Sequence, residues 1–167
     1  LDGTGGKKMI YGPFMQHGVA YAPIKDKNAA FIPDVTEKAI LVDLPGGAVI
    51  CYDAHRLSVS GLWKGKTAVT QKTHHTSYKG ERCLTPGGDP YYRDIDQLGW
   101  TVDKPGAAAR GHLRYLGLYL EENRVVLSYR VGNRGVLELP VASDDGNTVW
   151  RTFKIGPGKD NLYCRVA

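Results

Sequence analysis

Between Arg124 and Val131 apolar and polar side chains alternate. Val125, Leu127, Tyr129 and Val131 fall on one face, and Arg124, Ser128 and Arg130 on the other, with Val126 the exception. A two-residue period is that of a half-buried antiparallel strand. Short strand-like runs recur along the chain, whereas no segment sustains an apolar period of 3.6 residues. Pro45-Gly-Gly47 separates Lys38–Leu44 from Ala48–Asp53, and Glu121-Glu-Asn123 separates Leu113–Leu120 from Arg124–Val131, so each pair reads as a hairpin. Runs at Met9–Tyr11, Val19–Ala22, Asn28–Ile32 and Arg56–Trp63 precede or follow the first pair. Val136–Leu139, closed by Pro140, Thr148–Ile155 and Leu162–Val166 end the chain. The expectation is an all-β fold, an antiparallel β-sandwich-like domain. Residues 1–8 read as a linker or frayed start, and residues 9–167 as a single β domain.

The rhythm breaks at residues 64–111, a stretch long for an irregular connection. It carries His74, His75, Tyr78, Cys83, Tyr91, Tyr92 and Trp100, with His112 just beyond. That many anchoring side chains argue against a floppy linker. An ordered loop excursion is expected, with short strands near Thr67–Thr73, and any site is expected there.

With 167 residues the chain is long enough to bury a core without disulfides or metal. The net charge of +5 is scattered among acids, which speaks for a mildly basic surface and against a nucleic-acid partner. No apolar run is long enough to cross a bilayer, and no signal peptide is recognisable. A chain beginning at Leu1 is expected to be a mature or excised piece of something longer. Cys51, Cys83 and Cys164 form no Cys-x-x-Cys pair, and no Cys-x-x-Cys-His motif for covalent haem is present. Cys51 lies in a strand-like run and reads as a core thiol. In an exported chain, Cys83 and Cys164 are available to form a disulfide.

Four groups of residues are candidates for chemistry. Asp53 and His55 alternate onto one side, and an Asp that orients a His is the heart of acid–base catalysis. No Gly-x-Ser-x-Gly elbow accompanies them. His74, His75 and His112 carry metal-ligating nitrogens, although adjacent residues in extended chain point opposite ways. Tyr91, Tyr92 and Trp100 could stack on sugar rings while Asp89, Asp94 or Arg93 bonds the hydroxyls. Asp144-Asp-Gly-Asn147 has oxygen ligands near a glycine but lacks the spacing of a calcium loop, and reads as an ordinary turn.

Several stretches read together resemble a domain of unknown function from secreted proteins of planctomycetes and verrucomicrobia. They are Tyr11–Phe14, Ala48–Asp53, Arg56–Trp63 with Gly65, Arg114–Tyr119, Val125–Tyr129 and Val136–Glu138. In those proteins the domain accompanies c-type cytochrome and propeller-like dehydrogenase modules. The family pattern has Cys-Phe-Asp-Thr-Asp where this chain has Cys51-Tyr-Asp-Ala-His55, so a second carboxylate is replaced by histidine. The resemblance implies export to the periplasm or extracellular space and a β-rich fold. It also implies partner domains or subunits in a larger complex, with any haem on a partner module. Two classes of function follow as expectations. One is a non-catalytic accessory or assembly domain of a redox or sugar-processing protein, binding a partner domain or polysaccharide through residues 64–111, or serving as an interaction subunit of a cytochrome complex. The other is an enzyme using Asp53, His55 and a loop histidine, with or without a metal.

Overall fold

The structure, a computed structural model, describes residues 13–21, 34–70, 84–94, 99–105 and 112–166. The expected linker at 1–8, the runs at Met9–Tyr11 and Asn28–Ile32, and His74, His75 and Cys83 lie outside these residues.

The described chain is all-β. Seven strands make one sheet: β1 (Phe14–Ala20), β2 (Val35–Asp43), β3 (Ala48–Asp53), β4 (Ser58–Lys64), β5 (Lys66–Thr70), β6 (Leu84–Gly87) and β7 (Pro90–Arg93), in the order β5-β6-β1-β2-β3-β4-β7. A two-stranded sheet joins β8 (Trp100–Val102) to β13 (Leu162–Cys164). The remaining sheet has four antiparallel strands, β9 (Leu113–Glu121), β10 (Arg124–Val131), β11 (Arg134–Ala142) and β12 (Val149–Ile155), in the order β12-β11-β10-β9. Both hairpins legible in the sequence are present as β2–β3 and β9–β10.

Residues 64–111 are therefore less irregular than their sequence suggests. They supply β5 through β8, and three of these extend the large sheet at its two ends. These strands are only three to five residues long and include Gly87 and Pro90, too short to display a period. A second correction concerns β11, which continues through Pro140 to Ala142 instead of ending at the proline. Pairing with β10 stops at Leu127↔Glu138, whereas pairing with β12 runs on to Ala142↔Val149. The missing N–H of Pro140 thus falls on the side where the ladder has already ended.

The large sheet is buried on both faces. Phe14, Val42, Ile50 and Leu62 stand in register on one face, and pack against Val125, Leu127, Tyr129 and Val131 of β10. This is the sandwich interior. Met15, Leu41 and Cys51, with Val49 and Trp63, share the opposite face, where Leu84 and Ala68 close over them. Strand β4 runs into β5 through Gly65, although the two lie near opposite ends of the sheet. The sheet must therefore curl, and the curl encloses the second core.

A glycine contact ties the two large sheets together. Gly46, in the turn after β2, has φ +65°, and a Cβ there would lie 2.1 Å from the Gly146 nitrogen in the loop before β12. Gly47 has φ +72° with nothing within 4 Å of its would-be Cβ. Gly46→Ala is expected to cost about 2–3 kcal/mol, combining left-handed strain with overpacking. Gly47→Ala should cost about 1 kcal/mol from the backbone alone. Urea midpoints of the two variants measure the difference, and equal midpoints would mean that the close approach carries no energy.

Candidate functional site

The most chemically loaded place in the structure is inside the sandwich. On β11 the core-facing positions are Val136, Glu138, Pro140 and Ala142, so period two drives a glutamate inward. Glu138 is 0% exposed. Burying a carboxylate is costly unless it is paired and hydrogen-bonded, and three side chains meet the requirement. Tyr52 of β3 donates to Oε1 at 2.8 Å, Arg151 Nε of β12 donates to the same oxygen at 2.5 Å, and Tyr129 of β10 donates to Oε2 at 2.5 Å. Trp100 Nε1 of β8 donates in turn to the Tyr129 hydroxyl at 3.1 Å. One network therefore joins strands from all three sheets.

Burial, then the adjacent Glu138 charge, hold the Tyr52 and Tyr129 phenols well above their ordinary range. They remain donors at any physiological pH. Burial works against the Arg151 charge, but Glu138 and its hydrogen bond outweigh it and hold the guanidinium above its usual value. The result is a carboxylate with committed donors on both oxygens. Such a group braces two sheets.

A small cleft opens where β7, at one end of the large sheet, faces β12, at one end of the four-stranded sheet. Its volume is about 230 Å³, and its walls include Ile50, Leu62, Tyr92, Asp94, Arg151 and Arg165. Arg165 Nη1 lies 3.9 Å from the Asp94 carboxylate. The cleft is smaller than most sites for small organic ligands.

The sequence candidates are dispersed. Asp53 Oδ1 accepts the backbone N–H groups of His55 at 2.8 Å and Arg56 at 3.2 Å, while Oδ2 accepts Arg56 Nη1 at 2.8 Å. This side chain closes the turn between β3 and β4, and the His55 side chain is exposed. His112 is exposed at the start of β9, where its carbonyl accepts from Gly132. Among the described residues no three His, Cys, Asp or Glu side chains gather as a ligand set. Asp145 accepts from the Ser143 hydroxyl and from the Asn147 backbone and side chain, and these bonds hold its carboxyl below the ordinary value. Lys64 Nζ donates to the Asp145 carbonyl and the Asn147 side chain, so this turn is satisfied by protein groups.

The aromatic platform does not form. Tyr91 is exposed and Tyr92 half-buried against the core. Trp100 is 3% exposed, with its ring 5.4 Å from Phe153 in edge-to-face contact. Pairing of β8 with β13 turns that indole into the sandwich, which removes Trp100 from any surface row. Arg93 makes a two-pronged ion pair with Asp34 and lies 3.5 Å over the Tyr21 ring. The Tyr21 hydroxyl meets Ser60 Oγ at 2.9 Å, and Ser60 donates to Cys51. Cys51 is fully buried, as its strand-like context predicts, and burial pushes its thiol up to about 11. Cys164 is half-buried in β13, and Cys83, with which a disulfide was expected, lies outside the described residues.

Neither Glu138 nor Arg151 stands among the sequence candidates. Phase gives a signal only for Arg151, which is in step with Val149 and Phe153. Glu138 is in step with Val136 and Pro140 but out of step with the more apolar Leu137, Leu139 and Val141, so alternation alone would turn it outward.

These features define an all-β sandwich-like domain braced by a buried carboxylate network. The family described as a domain of unknown function (DUF6797) matches residues 50–138, more than half of the chain, and the chain belongs to that family. The matched region includes Tyr52, Trp100, Tyr129 and Glu138, and stops short of Arg151. No curated protein and no solved structure matches the chain.

Proposed function

We propose that this chain is a non-catalytic accessory or assembly domain of an exported redox or sugar-processing protein. It docks a partner module through the outer face of the four-stranded sheet. The observation that carries this reading is what that face exposes. Tyr119 is 61% and Trp150 52% exposed. Tyr119 pairs across with Val126, Leu139 with Thr152, and Val141 with Trp150, so the apolar side chains are neighbours on one surface. An exposed apolar surface of this kind favours a protein partner.

The same face has a basic end. Arg130 stands directly opposite Arg114 across the β9–β10 ladder. Like charges placed directly opposite each other destabilise an isolated sheet. An acidic partner would relieve that repulsion and steer its own approach. The family resemblance supplies the context, in which the partner is a c-type cytochrome or propeller-like module of the same periplasmic or extracellular assembly. Any haem then belongs to that partner.

The test is a titration of the purified domain against the neighbouring cytochrome or propeller module of its full-length protein. Arg114→Glu with Arg130→Glu should weaken binding roughly tenfold or more and flatten its salt dependence. Binding indifferent to both changes would overturn the docking face. Glycan binding is a second reading, favoured by the half-buried Tyr92 beside Asp94 and Arg165 in the cleft. A polysaccharide response in the same assay, lost in Tyr92→Ala, would move the function to that cleft.

A further inference from the structure

Exposed sheet edges invite pairing with other chains, and folded proteins interrupt them with bulges, prolines or short strands. Most end strands of this fold are interrupted. The ladder of β5 shifts register at Lys66/Ala68, β7 begins at Pro90 and shifts at Leu62/Trp63, and β9 shifts opposite Ser128/Tyr129. Strand β12 is different. It pairs with β11 over seven consecutive positions without a shift, and among the described residues no strand pairs with its other edge.

The groups on that edge with no strand partner among the described residues can be assigned. Gly156 N donates to Gly135 O at 2.8 Å, and Ser143 N donates to Thr148 O at 2.9 Å. Alternation along an antiparallel ladder then directs the backbone groups of Trp150, Thr152 and Lys154 to β11. Those of Val149, Arg151, Phe153 and Ile155 point outward.

We propose that β12 is the dimerisation edge of this protein, pairing antiparallel with β12 of a second copy about a two-fold axis at Thr152. The sequence Val149-Trp-Arg-Thr-Phe-Lys-Ile155 is complementary to itself in that register. Val149 meets Ile155 of the other copy, Arg151 meets Phe153, and Trp150 meets Lys154. Every outward-pointing residue then faces another outward-pointing residue, so the free N–H and C=O groups satisfy one another. On the exposed face two cation–aromatic pairs form, Trp150 with Lys154 and its symmetry mate. Both residues are exposed in the single chain. The two four-stranded sheets become one continuous sheet, a closed isologous contact. A foreign strand would find the same backbone groups, but only a second copy is guaranteed to bring the matching cation and aromatic ring.

Sedimentation equilibrium up to high micromolar concentration should give a dimer of twice the 18.3 kDa chain mass. Trp150→Lys places two lysines opposite each other and should raise the dimer dissociation constant roughly tenfold or more. The swap W150K with K154W restores a cation opposite an aromatic ring and should restore the dimer. Circular dichroism confirms that both variants fold. Arg114→Glu with Arg130→Glu, which addresses partner docking, should leave self-association unchanged. A chain monomeric at every concentration, a dimer indifferent to W150K, or a swap that fails to recover pairing would each overturn the proposal.

Discussion

Replacing Glu138 with alanine should cost the domain about 3–5 kcal/mol, the usual result of breaking a buried ion pair from one side. Arg151, with a side chain 13% exposed, keeps its charge inside the sandwich without the carboxylate that balances it. The Tyr52 and Tyr129 hydroxyls lose their acceptor at the same time. Buried donors left without partners cost on the order of 1–3 kcal/mol each. A domain of this size has a total stability of about 5–15 kcal/mol, so the variant should melt far below the parent. Glu138→Gln retains the acceptor but not the charge and should fall between the two. The decisive comparison is the double variant E138L with R151M. Removing both charges should recover the share of the loss that comes from the uncompensated Arg151 charge, because the pair's attraction is largely spent on its own desolvation, while the share from the Tyr52 and Tyr129 hydroxyls persists. Urea unfolding of the four proteins measures this. If E138A lies within about 1 kcal/mol of the parent, the network is ornamental.

Trp63→Ala should cost about 3–5 kcal/mol, the ordinary range for removing a fully buried tryptophan. Trp63 is 0% exposed on the face of the large sheet that points away from the sandwich. Its indole N–H donates to the Lys66 carbonyl at 3.0 Å, and its ring meets Tyr21 edge-on at 6.3 Å. Were that face bathed in water, as in an ordinary two-layer sandwich, truncation there would change stability by about 0.5 kcal/mol or less. The size of the loss therefore measures whether the curl between β4 and β5 encloses a true second core. Denaturant midpoints report it, and a near-silent substitution would dispose of that core.

Much of the architecture was legible because period two is a local property. The alternation of Val125, Leu127, Tyr129 and Val131 corresponds to one face of β10, all of it in the sandwich interior. The Pro45-Gly-Gly47 turn marks the β2–β3 connection, and β3 spans the same residues as its sequence run. Strand β4 was harder. Ser58 through Trp63 are all buried, so its partial alternation gives no sign of which face is solvated, because neither is.

The candidate site was less legible. Residues 64–111 have the length and lack of periodicity of a functional loop. In the structure part of that length is short strand, and Trp100 faces inward. Glu138 and Arg151 lie thirteen residues apart in separate strands. Nothing local pairs them; their antiparallel ladder does, by setting Arg151 opposite Pro140, next but one to Glu138.

An antiparallel β domain, the places where its main hairpins turn, Cys51 as a core thiol and the inward face of β10 are all read from the sequence. These follow from side-chain alternation and from turn chemistry, both set within a few residues. The curl of the large sheet around a second core, the pairing of Glu138 with Arg151 and its hydrogen bonds from two tyrosines, and the strand edge left regular and open among the described residues emerge in the folded chain alone. Those outcomes depend on which distant strands become neighbours, and that choice is made by packing the whole domain at once.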